Sequence, residues 1–356
     1  MMVERLKNWV FPKSQSMVGV DIGTNSLKLV ELAWKRKVPF FRNYSITPIP
    51  SSVISDMGIE DSEAFAEILS KALTTSGIQA REAILAVGGR NIFVREVPFP
   101  PMTEKELKEA IKWDMEKYVP YEADSYYYDY SIIPGEPSEK ELKILLAAVP
   151  RHILDPLLEA IKNAGLIPRV VDLESLALYR TFSQFPNSMV LDIGGAFSQF
   201  FLFQQGVPVV NRTIPLGSER FIQALKTMKY QDGEQTSYSK QELYTLLNAL
   251  SEEDLENYDH WKLLLSEFVR EVRRTIEYYQ IQTNQAIIDK IIMVGGGARL
   301  QHLHSALAKR LESPIILHNP LETMDISPSL NRYHIEEIAP QLSMAIGLAL
   351  RGGEPL

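Results

Sequence analysis

The sequence has no cysteine and no long apolar run. Without cysteine, disulfide frameworks, thiolate zinc sites, iron–sulfur clusters and a cysteine nucleophile are excluded, and a reducing compartment is favoured. The longest unbroken apolar run, residues 144–149, falls far short of the roughly 20 residues that a membrane-spanning helix needs. Residues 1–12 also lack the apolar core of a secretory signal. We therefore expect a cytoplasmic protein without membrane spans.

Histidine is scarce, and positive charge is outweighed by negative charge. The 6 histidines show no metal-ligand spacing, which argues against a metal site built on histidine. The 37 lysines and arginines face 45 aspartates and glutamates, so the formal net charge is −8. Because phosphate backbones repel a negative chain, we expect no nucleic-acid partner. The 356 residues, 45% of them hydrophobic, predict ordinary globular cores in two or three domains.

An internal repeat is the most informative feature of the sequence. Residues 18–30 (VGVDIGTNSLKLV) and 189–201 (MVLDIGGAFSQFF) align without a gap. Each copy has an apolar run, Asp-Ile-Gly, a short turn and a second apolar run, which predicts strand, tight turn and strand. A second pair, residues 83–90 and 290–299, consists of two buried-strand runs that end in glycines. The repeat therefore predicts two copies of one α/β unit.

Each half carries its own extra residues. In the second half, the polar stretch 230–260 predicts a helical insertion at the surface. In the first half, residues 91–165 predict a small α+β subdomain, in which Thr103 and Glu106 form a capping box that opens a helix. The aromatic run 126–130 predicts a strand, with the lining of a peptide groove as the alternative. A helix over about 151–164 completes this subdomain.

The turn after the first strand is a candidate phosphate site. Backbone N–H groups of such a turn converge on one point and can hold phosphate oxygens. Asp21, at the strand end, can hold Mg²⁺ through water, and Lys28 on the returning strand can place an ammonium group against a β- or γ-phosphate. The residues of the turn are Gly23, Thr24, Asn25 and Ser26.

The second copy offers a similar turn without the lysine. Asp192 supplies a second carboxylate, and Gly194, Gly195 and Ser198 belong to the turn. A hairpin turn with no ligand is the alternative for either copy alone, since short motifs match by chance. The duplication favours two turns that hold one triphosphate between them.

Three further segments are candidates for the rest of a nucleotide site. Glycines bring the backbone close to a ligand, and a glutamate in the first turn of a helix suits both the helix dipole and a ribose. Arginines on a helix over about 261–280 could stack on adenine, or form a solvated charged face. The candidate residues are Gly217, Glu219, Arg273, Arg274, Gly295, Gly296 and Gly297.

Together these motifs resemble the actin-like ATPase superfamily and, within it, the FtsA/PilM family and its members in type IV pilus assembly. The most specific elements are residues 18–32 and 92–98, and the resemblance spans residues 17–352. It implies an α/β fold of two duplicated actin-like (ribonuclease H-like) domains around a nucleotide cleft. An α+β subdomain of the 1C type is inserted in the first domain.

The resemblance also implies domain boundaries. An N-terminal extension, residues 1–16, precedes the first actin-like domain, and its mixed apolar and basic residues could touch a membrane surface weakly. The first domain covers 17–90 and is completed by 166–183 and 341–356, and the inserted subdomain covers 91–165. The second domain covers 184–340 and includes the insertion 230–260. The helices over about 174–180 and 342–351 are rich in small residues, which favours close crossing at a hinge.

ATP and Mg²⁺ are the implied ligands of the cleft. Asp21 and Asp192 would hold the magnesium through water, and Glu219 with Arg273 or Arg274 would lie near the ribose or base. Glu174 or Asp172 would orient the attacking water, although Glu174 could instead cap its own helix. The resemblance implies weak or uncertain hydrolysis, so that ATP chiefly orders the fold.

The implied partner is the short cytoplasmic N-terminal tail of a PilN-type inner-membrane protein, docked on a groove formed with the inserted subdomain. Pilus motor ATPases and further copies of the chain are additional candidate partners, and the membrane is reached only indirectly. Two alternatives remain open at this point. One is an FtsA-like filament former or type II secretion scaffold, and the other is a small-molecule kinase of the same superfamily.

Overall fold

The computed structural model describes residues 16–35, 38–55, 58–133, 141–225, 239–283, 285–300 and 302–353. The N-terminal extension, apart from its last residue, lies outside the described residues, and so does the start of the predicted insertion 230–260. The strands are β1 (Met17–Ile22), β2 (Ser26–Lys35), β3 (Val38–Pro48), β4 (Ile54–Ser55), β5 (Gly58–Ile59), β6 (Glu82–Val87), β7 (Phe93–Phe99), β8 (Tyr126–Ile132), β9 (Leu142–Pro150), β10 (Ile167–Leu173), β11 (Ser188–Ile193), β12 (Ser198–Gln204), β13 (Val207–Ile214), β14 (Lys290–Val294), β15 (Ile315–Leu317) and β16 (Asp325–Ile326).

The helices lie between these strands, singly or in succession. They are α1 (Ser62–Ser76), α2 (Glu104–Tyr118), α3 (Arg151–Asn163), α4 (Glu174–Arg180), α5 (Ser218–Ala224), α6 (Lys240–Ala249), α7 (Glu252–Glu256), α8 (Asp259–Gln282), α9 (Leu303–Leu311) and α10 (Arg332–Arg351), and a 3₁₀ turn covers Gly296–Arg299.

The two halves contain sheets of the same topology. In the first sheet the order is β3-β2-β1-β6-β10, with the short β16 added outside β3. In the second it is β13-β12-β11-β14-β15. In each sheet the first strand pairs antiparallel with the second and parallel with the fourth, at β1–β2–β6 and at β11–β12–β14. The two copies of one α/β unit that the repeat predicts are thereby confirmed.

Helix α10 packs against the first sheet and crosses α4, with no space for side chains at two contact points. Gly19 of β1 faces α10 so closely that a Cβ there would overlap the Ala345 carbonyl oxygen. A Cβ at Gly347 would likewise overlap the carbonyl oxygen of Ala177 in α4. Small residues on both helices therefore permit the close crossing that the sequence predicts, and they fix α4 beside the cleft.

The inserted subdomain has a three-stranded antiparallel sheet in the order β7-β9-β8. Helix α2 covers one face with its buried residues Leu107, Ile111 and Met115, and it begins at the predicted capping box of Thr103 and Glu106. The aromatic run forms strand β8, as predicted.

Helix α3 differs from the expectation in one respect. The sequence grouped it with the inserted subdomain, but its buried residues Leu154, Leu157 and Ile161 pack in the core of the first sheet and α1. The reason is its strong amphipathicity: the helix follows directly on β9, and its apolar face packs beside α1 on the same face of the first sheet. The inserted sheet is thus connected to the first domain through β9.

The described part of the second insertion is helical, as expected, but it is not confined to the surface. Helices α6 and α7 bury Leu243, Leu247 and Leu255 in the core of the second sheet. Polar composition misled the sequence interpretation here, because a few leucines at helical spacing suffice to attach a short helix to a core.

We expect Gly347→Ala to lower the free energy of unfolding by about 1–3 kcal/mol, because the new Cβ must push α10 away from the Ala177 carbonyl. For this net loss to appear, the cost of the steric overlap must exceed the roughly 1 kcal/mol by which alanine is more favourable than glycine in a helix. Gly296→Ala is the matched control, since its Cβ would have its nearest neighbour at 4.0 Å. Denaturant unfolding followed by circular dichroism measures both; a Gly347→Ala chain as stable as the parent would contradict the crossing.

Candidate functional site

The two copies of the repeat fold into turns of the same geometry. The Gly23 N–H donates to the Ser26 carbonyl at 3.1 Å, and the Gly194 N–H donates to the Phe197 carbonyl at 3.0 Å. The strand register after the turns is also the same. Asp21 lies opposite Lys28 on the neighbouring strand, and Asp192 occupies the equivalent position in the second copy.

The turns face one another across a cleft of about 580 Å³ that is lined by both halves. Asn25 from the first turn donates through Nδ2 to Glu219 Oε1 at 2.9 Å. A Cβ at Gly195 would overlap the Asn25 amide, so glycine is required where the turns meet. Beside this contact the Arg90 guanidinium lies over the Phe197 ring, 5.3 Å from its centroid. The expected opposition of the two turns is therefore present.

The first turn presents its predicted residues to the cleft. The lining includes Gly23, Thr24, Asn25, Ser26, Gly194, Gly195, Gly295 and Gly296, together with the carboxylates of Asp21, Asp192 and Glu174 and the ammonium group of Lys28. Lys28 is the only lysine among the described residues of this lining. Its Nζ lies 2.8 Å from Asp21 Oδ2, so one carboxylate is already paired.

The other two carboxylates have raised pKa values. Burial raises the pKa of Asp192 to about 7, and the negative charge of Asp21 adds to this shift while Lys28 opposes it. Burial also raises the pKa of Glu174 to about 7; the hydrogen bond from Gln199 works against this rise, and Asp192 and Asp21 contribute to it. A raised pKa in a cleft indicates a carboxylate that lacks a compensating cation.

The structure distinguishes between the two candidates for a water-orienting residue. Leu173 is the N-cap residue of α4, and no side chain accepts a hydrogen bond from the N–H groups at this helix end. The alternative that Glu174 caps its own helix is therefore wrong. Glu174 Oε2 instead accepts a hydrogen bond from Gln199 Nε2 at 2.7 Å inside the cleft. Asp172 forms an ion pair with Arg180, since its Oδ2 lies 2.5 Å from Nη1 of that residue.

The glycines that end β6 and β14 make space for these carboxylates. A Cβ at Gly88 would overlap the Glu174 carboxylate, and a Cβ at Gly295 would overlap Asp192 Oδ1. Gly295 also has φ of +89°, a conformation that disfavours other residues. Gly296 faces open cleft space, whereas Gly297 packs against Ile193. Of the glycine triplet, Gly297 therefore serves packing, and the other two shape the cleft.

Two predicted site residues, one of the second turn and one before α5, support this turn from behind and do not line the cleft. Ser198 is fully buried, and its Oγ donates to the Leu216 carbonyl at 2.6 Å. Gly217 packs so closely on the turn that a Cβ would overlap the Gly195 carbonyl oxygen. The expectation that Ser198 binds phosphate is therefore wrong, because its hydroxyl is used to join β12 to the chain before α5.

Arg273 and Arg274 are not among the residues that line the cleft. They line a separate surface depression of about 440 Å³ formed by α8 and the end of α9. Arg273 donates to the Arg310 carbonyl at 2.8 Å, and Arg274 lies 3.2 Å from Glu271. The structure thus corrects their expected place beside a base; the sequence could not show which way the polar face of this helix turns.

Sequence reasoning missed Gln199 and Arg299. Gln199 aligns with Lys28 in the gapless repeat, seven residues after its aspartate, and this alignment was the signal that could have found it. Its Oε1 is buried and has no hydrogen-bond partner among the described residues. Arg299 lines the other end of the cleft, where its guanidinium bonds to Gln341 and Glu337 of α10.

The donor set fits a hydrated magnesium ion with phosphate. Within the described ranges no group of three side chains forms a complete metal cage, which suits an ion that keeps most of its waters and takes one or two carboxylates. Asp192 keeps a raised pKa in spite of Lys28, and the buried Oε1 of Gln199 has no hydrogen-bond partner among the described residues. The converging N–H groups of the turns would supply the complementary site for phosphate oxygens.

We expect Asp192→Asn to stabilise the protein in the absence of ligand. Since the folded pKa of about 7 lies above the ordinary value of about 4, the native state binds this proton more tightly than the unfolded state. Rising pH then costs stability between about pH 4 and about pH 7, and the cost persists above that. Asparagine removes it, so the melting temperature should rise by about 2–4 °C at pH 8.

Melting curves from pH 4 to pH 8 measure this effect. The excess stability of Asp192→Asn should shrink steadily as the pH falls below 7. Asp325→Asn, on an exposed strand end, should change the melting temperature equally little at every pH. A destabilised Asp192→Asn chain at pH 8 would show that the carboxylate has a stabilising partner.

Known proteins give three comparisons with this fold. A solved structure of the PilM–PilN type IV pilus biogenesis complex superimposes with a TM-score of 0.81 at 25% identity, covering 95% of this chain and 99% of that one. The ethanolamine utilization protein EutJ from Carboxydothermus hydrogenoformans gives 0.55 at 16% identity, covering 96% and 90%. MreB5 of Spiroplasma citri bound to ADP gives 0.53 at 12% identity, covering 96% and 97%. The last two show the fold alone.

Two further findings concern family and membrane association. In the part of the chain that the structure describes, no helix is both long and apolar enough to cross a bilayer. The sequence model of the family described as type IV pilus assembly protein PilM matches residues 19–353, which is nearly the whole chain. This chain therefore belongs to the PilM family of type IV pilus assembly proteins.

Proposed function

We propose that the protein is the actin-like, ATP-binding component of a type IV pilus assembly machine, and that it docks on the cytoplasmic tail of a PilN-type inner-membrane protein. The observation that carries the nucleotide part is the pair of facing turns, which bring Asp21 and Asp192 from the two halves to one cleft. Family membership over residues 19–353 supports the pilus assignment. Neither a filament-forming division protein nor a small-molecule kinase is favoured.

In this proposal, Mg²⁺·ATP lies between the turns. The N–H groups of residues 23–26 and 194–195 would hold phosphate oxygens, and Lys28 would add its ammonium group. Asp21 and Asp192 would hold the magnesium through its waters, and the ion would neutralise phosphate charge. Glu219, Gly296 and Arg299 would lie near the ribose or base.

We infer that ATP chiefly orders the two halves and is hydrolysed slowly. Glu174 is the residue that would orient an attacking water, and Gln199 fixes its carboxylate. With a pKa of about 7, about half of the Glu174 carboxyls carry a proton at neutral pH and cannot accept another. The ionised half is a stronger base than an ordinary glutamate carboxylate, so Glu174 can still orient water at neutral pH.

The PilN-type tail would dock on the inserted subdomain. Strand β8 lies at the edge of the three-stranded sheet, and Tyr127 and Tyr128 are exposed on it. An extended peptide can add to such an edge through main-chain hydrogen bonds, with side chains setting specificity. This docking would place the protein at the inner membrane through its partner. Motor ATPases and further copies of the chain would bind other surfaces.

We expect Mg²⁺·ATP to raise the melting temperature of the parent protein and to have little effect on Asp21→Asn and Asp192→Asn. A ligand at 100 times its dissociation constant stabilises by about 2.7 kcal/mol. Asp325→Asn should keep the full ligand-induced shift, because Asp325 lies away from the cleft residues. Thermal melts with Mg²⁺·ATP, with ATP and EDTA, and with Mg²⁺ alone measure this; equal shifts in all variants would contradict the site.

We expect Tyr128→Ser and Tyr127→Ser to weaken binding of a synthetic PilN-type N-terminal peptide by about tenfold each, as for loss of an aromatic contact worth ~1.4 kcal/mol. Tyr333→Ser is the control, since Tyr333 is also an exposed tyrosine but lies at the start of α10, outside the inserted subdomain. Calorimetric titration of the ATP-loaded protein gives the affinities. Unchanged affinity in both β8 variants would exclude this edge, and no binding by the parent would remove the PilN assignment.

A further inference from the structure

The inserted subdomain meets the first domain at two crossings of the chain. At the first crossing, Ile92 packs against the core of the first sheet and its neighbour Phe93 lies in the core of the subdomain. At the second crossing, Ala148 lies in the subdomain core and Val149 in the core of the first sheet. Because relative motion is the default between bodies joined by short chain crossings, the contacts that span a crossing decide how the subdomain is oriented.

The first crossing begins in the nucleotide cleft. The segment that leads to it, residues 88–91, lines the cleft along its whole length, whereas residues 148–151 are not among the described residues of that lining. We call residues 88–91 the linker. Gly88 lies against the Glu174 carboxylate, and the Arg90 guanidinium lies over the Phe197 ring of the second turn. The linker therefore contacts both α4 and the second half of the protein, so a ligand that changes how the halves close would also move the linker.

The linker has one position at which it can bend. Gly89 has φ of +80°, a conformation that glycine adopts without strain. No atom of the described residues lies within 4 Å of the place where its Cβ would be. Gly88, by contrast, has no space for a side chain. Arg90 and Asn91 can therefore turn about Gly89 while Gly88 remains under the Glu174 carboxylate.

A hydrogen bond joins the linker to the subdomain. The Tyr121 hydroxyl donates to the Asn91 carbonyl at 2.8 Å, and the Tyr121 ring packs against the subdomain core. Tyr126, the first residue of β8, lies beside it with 6.0 Å between the ring centroids. Tyr126 lies in turn 6.4 Å from the ring of Tyr128, which is exposed on the same strand. A continuous set of contacts thus runs from the cleft to the outer strand of the subdomain.

We propose that the linker couples the nucleotide cleft to the β8 edge, so that bound nucleotide tightens the binding of an extended peptide there; the inference rests on the proposed function of both sites. A nucleotide between the turns would fix Arg90 and Asn91, and the Asn91 carbonyl would hold Tyr121 and, through its ring, Tyr126. The peptide would then meet a strand whose aromatic side chains are already ordered, and less entropy would be lost on binding. By linkage, the peptide would tighten nucleotide binding by the same factor.

The first test titrates the synthetic PilN-type peptide into the full-length protein, with Mg²⁺·ATP and without nucleotide. One hydrogen bond between neutral groups is worth about two- to tenfold in an equilibrium constant, so we expect the parent to bind the peptide about fivefold more tightly with nucleotide. Tyr121→Phe removes only the hydroxyl and should abolish this gain, while the affinity for each ligand alone stays close to that of the parent. Tyr118→Phe is the matched control, because the Tyr118 ring packs on Phe99 inside the subdomain, and it should keep the gain.

Hydrogen exchange gives a second measurement that needs no peptide. Mg²⁺·ATP should slow amide exchange across β8 in the parent and in Tyr118→Phe, but not in Tyr121→Phe. A parent that binds both ligands independently, or a Tyr121→Phe chain that keeps the full gain, would overturn the coupling and leave the proposed function intact. A parent that binds no nucleotide or no peptide would instead remove the proposed function, and the coupling with it. Parent-like melting temperatures show that the variants fold.

Discussion

The structure depends on one electrostatic constraint: two strand-end aspartates, one from each half, must lie in the same cleft. Asp21 is paired with Lys28 at 2.8 Å, whereas Lys28 only partly offsets the effect of burial on the pKa of Asp192. The negative charges of Asp21 and Asp192 also act on Glu174, whose pKa rises with that of Asp192. A fold selected only for stability would separate these groups, so their convergence is the strongest physical sign of a cationic ligand.

The same convergence imposes requirements on the backbone around it. Carboxylates at Glu174 and Asp192 fit only because Gly88 and Gly295 have no side chain. The crossing of α4 and α10 at Gly347 sets the position of Glu174, since that residue begins α4. These glycines thus serve packing, whether or not they also contact a phosphate. They let the two halves approach until their acidic groups share one space.

The repeat made the duplicated sheets, the facing turns and the paired aspartates predictable, because a gapless alignment transfers strand register from one half to the other. Side-chain direction was not predictable in the same way. Ser198 points away from the cleft to the Leu216 carbonyl, and Arg273 follows the face of α8 that is turned to solvent. The attachment of α3 to the first core depends on the space beside α1 on the same sheet face. Such outcomes are decided by tertiary packing, which a local pattern does not contain.

The replacement of a lysine by Gln199 in the second copy explains how the cleft can respond to a ligand. A second lysine at this position could pair with Asp192, as Lys28 pairs with Asp21. Gln199 is uncharged. Its amide N–H donates a hydrogen bond to Glu174, and its Oε1 has no hydrogen-bond partner among the described residues. Asp192 is therefore compensated only in part, by Lys28. In the proposed function, the magnesium of Mg²⁺·ATP would supply the missing positive charge, and the ligand would stabilise the folded state by mass action.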